Sequence, residues 1–312
     1  MKDQLIEYAR SLGFVRAFVM PPDAQTDWRA HVDGRPELSF IRLAHDPLQL
    51  MPECRSVILL VWPYQPFELE PKHAAFSAYY IASNKAYHAA KQLGAWISAH
   101  GYQSLSNPNL PLKSLAERAG AGRYGKNGVI GAPDLGSRIA LECVLTDAEM
   151  AYDQLEERGR RSAECMACER CIRVCPVGAL KGDATVDTTR CLRALPMDAP
   201  YPEDVRPLIG ASLLGCDLCQ DCCPRNRDKK RIPIPDDVLE LTDLAKLLAG
   251  DMRGIEDLVG KNYARKKRLQ ARACLIAANT GRSDLLPAIC ALLTDDSELV
   301  REYAAWAEKK LQ

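Results

Sequence analysis

The chain has 312 residues, 41 basic and 41 acidic side chains and a formal net charge of zero, so no global field draws it to nucleic acid or membrane, and any polyanion site has to be a local patch. Its longest apolar run, VILLVW at 57–62, is far too short to span a bilayer, and the opening MKDQLIEYARSLGF lacks the apolar stretch of a signal peptide. Thirteen cysteines without such a signal argue against a disulfide framework and for metal or redox use in a cytoplasmic chain of two or three domains.

Residues 2–12 read as an amphipathic helix. FVRAFVM (14–20) and RSVILLVWPY (55–64) read as strands, the second apolar enough to be buried. A long helix follows from Phe76 to about His100, then a strand at GYQSL (101–105), a glycine-closed helix at 110–120 and a strand at IALECVL (139–145). This first part, 1–155, is an α/β (α+β) layer of helices on a sheet. The charged stretch 149–164 is a connector. Residues 156–231 form a ferredoxin-like double-cluster module held by ligation more than by an apolar core. After the proline-punctuated IPIPDD (232–237), the segment 232–312 reads as a small helical cap: VLELTDLAKLLAG, RLQARACLIAANTG, LLPAICALLTDD and ELVREYAAWAEKKL, the last three resembling stacked helical repeats with a turn at Asn279–Gly281.

The cysteines carry the sharpest signal. Cys165, Cys168, Cys171 and Cys175-Pro176 have the spacing of bacterial [4Fe-4S] ferredoxins, in which three thiolates bind one cube and the fourth reaches a second. The second set is Cys191, Cys216, Cys219 and Cys223-Pro224. Exchange of the fourth ligand gives one cluster on Cys165, Cys168, Cys171 and Cys223, and another on Cys191, Cys216, Cys219 and Cys175. Cys222 is passed over because Cys223 keeps the x3-Cys-Pro spacing. Zinc knuckles also use Cys-x2-Cys pairs, but a zinc site closes with four ligands and needs no interleaved Cys-Pro endings. Cys54, Cys143, Cys274 and Cys290 stand outside this framework and read as small buried hydrophobes. Two clusters form a short wire, and the first domain should hold whatever the wire reduces.

GAGRYG (120–125) matches G-x-G-x-x-G, but it follows a helix where a dinucleotide site would follow a strand. It suits a loop approaching something large, with Arg123, Tyr124, Lys126 and Asn127 offering donors.

RAGAGRYGKNGVI, GSRIALECVLTD, CMACERCIRVCPVGAL, RCLRAL, PLIGASLLGCDLCQDCCPRN and the helical tail, in this order, resemble the epoxyqueuosine reductase family over roughly Arg55 to the end. The segment AYYIASNKAYHAAKQL is similar to that family's tyrosine-histidine helix at Tyr87 and His88. The resemblance implies an architecture related to reductive dehalogenases, two [4Fe-4S] clusters, cobalamin in the first domain, an external electron donor, and reduction of epoxyqueuosine to queuosine in tRNA. It makes His88, Arg123, Tyr124, Lys126, Asn127 and Ser137 candidate cofactor contacts. The chain departs from the family in one place. The family's proton-donor aspartate falls on Ser106, a far poorer acid, which leaves Ser106 itself, Tyr87, Tyr79 or Tyr80 as proton sources, or a different substrate.

Two basic patches, Arg225–Arg231 and Lys261–Arg272, are candidates for tRNA phosphates, or else solvated faces. The alternatives are a cobalamin-dependent reductase of a small molecule and a ferredoxin-like carrier serving a corrinoid partner. No membrane partner is expected.

Overall fold

The structure is a computed structural model describing residues 1–35, 38, 41–68, 70, 74–156 and 163–312. Its elements run α1 (Lys2–Ser11), β1 (Arg16–Met20), α2 (Thr26–Asp33), α3 (Pro47–Leu50), β2 (Ser56–Pro63), β3 (Ala75–Phe76), α4 (Ala78–Ala99), β4 (Ser104–Ser106), α5 (Leu112–Arg118), β5 (Arg123–Tyr124), β6 (Ile130–Gly131) and β7 (Ile139–Thr146). Then come α6 (Ala163–Ala167), α7 (Arg170–Val174), β8 (Ser212–Leu214), α8 (Leu218–Asp221), α9 (Asp236–Leu241), α10 (Leu244–Ala249), α11 (Ile255–Val259), α12 (Lys266–Asn279), α13 (Leu286–Ala291) and α14 (Glu298–Leu311). Two compact units result: Met1–Tyr64 with Ala82–Cys168, and Gln65–Ile81 with Glu169–Gln312. The structure therefore groups most of the cysteine-rich segment with the helical tail, where the sequence suggested a break at 231/232. Of the expected connector 149–164, residues 157–162 lie outside the described residues.

The first unit is a four-stranded sheet in the order β1-β2-β7-β4 with every pairing antiparallel. The mixed α/β character expected from the sequence is thus of the α+β kind. The central strands β2 and β7 are buried along almost their whole length, which requires cover on both faces. Val57, Leu59, Cys143 and Leu145 share one core cluster with Leu115 of α5 and Ile130 of β6. On the opposite face, Ser104 and Ser106 point at α4: the Ser104 hydroxyl donates to the Gly94 carbonyl (2.9 Å) and that of Ser106 to Ala90 (3.2 Å). Helix and strand come together there because position 94 has no side chain.

In the second unit α12 is the hub. Leu269 to Ala278 are all buried, and α10 and α14 pack against them. The region expected as one helix at 238–250 is two, because Asp243 caps α10 by accepting from the Lys246 backbone N–H (3.0 Å). The tail is tied to residues 201–210 by the Arg206–Glu302 ion pair, by the Tyr303 hydroxyl accepting from the Tyr201 N–H (2.8 Å), and by the Asn279 amide donating to the Arg206 carbonyl (2.9 Å). Those bonds explain why the tail belongs to the same unit. Among the described residues no helix is long and apolar enough to cross a membrane.

The α4–β4 seam makes a test. Replacing a helical glycine by alanine ordinarily stabilises by about 1 kcal/mol. A Cβ on Gly94, however, would stand 2.1 Å from the Ser106 Oγ, and overpacking costs about 1–3 kcal/mol. Gly94→Ala should lower the urea midpoint, and in a Ser106→Ala background the same change should turn neutral or stabilising.

Candidate functional site

In the second unit α7, which carries Cys171, packs against α8, which carries Cys219. Burial pushes the Cys216 thiol up, and Cys191 and Cys175 add to the rise as like charges close by. These are three of the four ligands expected for one cube. Sulfur atoms of the motif also accept backbone N–H bonds: Cys175 from Ala179 (3.3 Å), and Cys165, in the first unit, from Lys126 (3.4 Å). Such bonds suit thiolates bound to a cluster. Cys222 donates its thiol to the Cys219 carbonyl at 3.6 Å. Among the described residues no three His, Cys, Asp or Glu side chains converge tightly enough for one ion. A four-iron cube is gripped at separate corners and needs no such convergence. The donor set therefore fits iron–sulfur cubes.

A clamp that the sequence reading missed braces two of these ligands. Arg193, two residues after Cys191, pairs with Asp217, next to Cys216, at 3.7 Å. Asp217 also accepts from the Ser77 hydroxyl at 2.8 Å. The guanidinium lies over the ring of Tyr79 at 4.3 Å and of Tyr80 at 5.3 Å, and Tyr80 meets Tyr263 edge to face. Burial pushes the Tyr80 hydroxyl up to about 12, so it holds its proton too tightly for an acid at neutral pH. The arginine two places after a cysteine and the aspartate beside another were the only signals available beforehand.

In the first unit, GAGRYG follows α5 and supplies the first strand of an antiparallel hairpin, β5 paired to β6. A Cβ on Gly122 would stand 2.6 Å from Ile130 Cγ2 and 3.0 Å from the Gly131 carbonyl oxygen, so close strand packing is what requires glycine there. The expected donors are placed as follows. Lys126 donates its backbone N–H to Cys165 and its ammonium to the Met166 carbonyl (2.8 Å), fastening the hairpin to the start of the cysteine motif. Arg123 is ion-paired with Glu156. Tyr124 lies under the Lys113 ammonium at 5.8 Å. Asn127 and Ser137 are buried, and Asn127 Oδ1 accepts from Val129 N–H at 3.3 Å.

Tyr87 and His88 are exposed on α4 and meet edge to face. Ser106 is half-buried beneath α4 on its Ala90 bond. Of the cysteines outside the motifs, Cys54, Cys143 and Cys274 are buried, as expected, with Cys274 pushed up to about 12 by burial. Cys290 differs: it is only half-buried, with its thiol 3.6 Å from the Glu308 carboxylate.

Residues 164–226 match the 4Fe-4S double cluster binding domain, so the chain carries a two-cluster module. An epoxyqueuosine reductase from Gloeobacter violaceus is 30% identical over 250 residues, covering 73% of this chain and 77% of that protein. The chain belongs to the epoxyqueuosine reductase family. A Bacillus anthracis epoxyqueuosine reductase is 31% identical over 208 residues, or 64% of this chain. That match spans about half of the relative's own length (53%). A crystal structure of epoxyqueuosine reductase with an epoxyqueuosine-modified tRNA stem loop superposes at a TM-score of 0.82 and 25% identity, covering 99% of this chain and 90% of that one. The family's fold is thus present across both units.

The thiol assignments are checked by iron content. After anaerobic reconstitution Cys222→Ala should keep the full complement, about eight irons per chain. Cys216→Ala should lose about half of it. Equal loss in the two variants would contradict the assignment.

Proposed function

We propose that this chain is an iron–sulfur, cobalamin-dependent reductase that converts epoxyqueuosine to queuosine in cytoplasmic tRNA. The observation that carries this reading is the double-cluster domain at residues 164–226 in a chain of this family. The cluster ligands are Cys165, Cys168, Cys171 and Cys223 for one cube, and Cys175, Cys191, Cys216 and Cys219 for the other. Bound cobalamin supplies a strongly reducing, nucleophilic metal centre. His88, Arg123, Tyr124, Lys126, Asn127 and Ser137 hold it in this reading. They fit as a donor set: buried Asn127 and Ser137 are side chains of the kind that the amide groups around a corrin accept from and donate to. Tyr87 and Ser106 line the substrate side. The Ser106 hydroxyl is occupied by the Ala90 carbonyl, and an aspartate there would set its carboxylate against that carbonyl oxygen.

The stacked helices of the second unit, read as a HEAT-like tail, hold the tRNA. Much of the patch 261–272 is already neutralised. Arg272 is buried, Arg268 pairs with Asp198 (2.7 Å), and Lys267 pairs with Asp295 (2.7 Å) and Asp296 (2.5 Å). Arg265 and Lys266 remain exposed, without an ion pair among the described residues, at the N-terminus of α12, which has no acid in its first turn. Cations at that end oppose the helix dipole, and a phosphate would relieve the conflict. The same neutralisation favours, as a second reading, a reductase of a smaller substrate.

Given reductant and both cofactors, the chain should convert an epoxyqueuosine stem loop to the queuosine form in a single turnover. No conversion by fully loaded protein would overturn the substrate. Lys266→Glu should weaken stem-loop binding and lower its logarithmic salt slope by about one, measured by binding at several salt concentrations.

A further inference from the structure

β7 carries a carboxylate in the middle of a buried strand. Glu142 is 7% exposed and pairs across the sheet with Leu60. Among the described residues no hydrogen bond or ion pair reaches its carboxylate, and burial alone raises its pKa to about 7. An unpartnered buried carboxylate is costly when ionised, so the environment favours a group that keeps its proton near neutral pH.

Its surroundings follow from the register. Ser106 lies opposite Val144, so Glu142, two residues along, faces the same side of the sheet as Ser106. α4 covers that side in step: Ser104 meets Gly94, Ser106 meets Ala90, and the Asn107 amide donates to the Tyr87 carbonyl at 3.3 Å. The Asn107 N–H donates to the Cys143 carbonyl at 2.9 Å, which sets Asn107 opposite Cys143, the residue that follows Glu142 on β7. Asn107 has φ +54°, an uncommon backbone for a residue with a side chain. Its Oδ1 is enclosed and has no partner. An enclosed acceptor without a partner and an unpaired buried acid on the neighbouring strand are both costly to keep for folding alone.

We propose that Glu142 is the proton donor for the oxygen that leaves the substrate, with Asn107 Oδ1 as the acceptor that orients it. This rests on the proposed epoxide reduction and deepens it. In the step, the carbon–oxygen bonds of the epoxide break, and two electrons come from an external low-potential reductant. One proton passes from Glu142 to the departing oxygen and a second comes from solvent, so that alkene and water form. Solvent then reprotonates the Glu142 carboxylate.

The test uses the full chain loaded with both cofactors. Glu142→Gln should keep its iron, cobalt and stem-loop affinity while single-turnover conversion slows about 100-fold or more. Glu142→Asp should recover part of the rate. Infrared spectra of the unaltered protein just below neutral pH should show a protonated carboxyl band that is missing in Glu142→Gln. Conversion by Glu142→Gln within a few-fold of the unaltered chain overturns the proposal, and so does an ionised Glu142 in the infrared, which decides the matter even where the variants fold poorly. If the unaltered chain converts no stem loop, the proposed substrate falls, and the infrared band still decides whether Glu142 holds a proton.

Discussion

Thiols far apart in sequence have to reach one cofactor, and the second unit is organised around that demand. Cys175 ends one motif, Cys191 stands alone, and Cys216 opens another, yet the first two both act on the Cys216 thiol as like charges. Bringing like-charging groups together in a buried place is unfavourable without metal, and ligation repays it as folding free energy. The Arg193–Asp217 pair, set over Tyr79 and Tyr80, fixes the segments beside two of these ligands. The helical tail holds the same region from the other side of the chain through Arg206, Tyr201 and Asn279. This is why tail and cysteine segment fold together.

The first unit answers a different constraint. Its two central strands are covered on both faces, so any polar side chain within them has to be bonded or kept neutral. Ser104 and Ser106 are satisfied by the backbone of α4. Glu142 is not: among the described residues no hydrogen bond or ion pair reaches its carboxylate, and burial raises its pKa to about 7. Local costs of this kind are kept where chemistry uses them.

Long periodic segments were legible in the sequence: α1, α4, β2, β7 and α12 lie where their hydrophobic patterns put them, and the cysteine spacing pointed to the double-cluster domain. What escaped was set by distant partners. β3 and β8 are two or three residues long and exist only because they pair with each other. Asp243 capped a new helix inside a pattern that reads as continuous. The charge run 261–272 looked uniformly basic because Asp198, Asp295 and Asp296, its neutralising partners, lie far away in sequence. Glu142 was visible as a lone acid in IALECVL, but only the register shows that it shares a face with Ser106.

The central claim is that the cysteine framework holds two cubes close enough to pass electrons. Mössbauer and electron paramagnetic resonance spectra of the anaerobically iron-loaded chain test it most directly. The account predicts that all the iron, about eight atoms per chain, sits in [4Fe-4S] cubes, and that the reduced protein shows two magnetically interacting spins. Mononuclear thiolate-bound iron, or a single isolated cube, would contradict it.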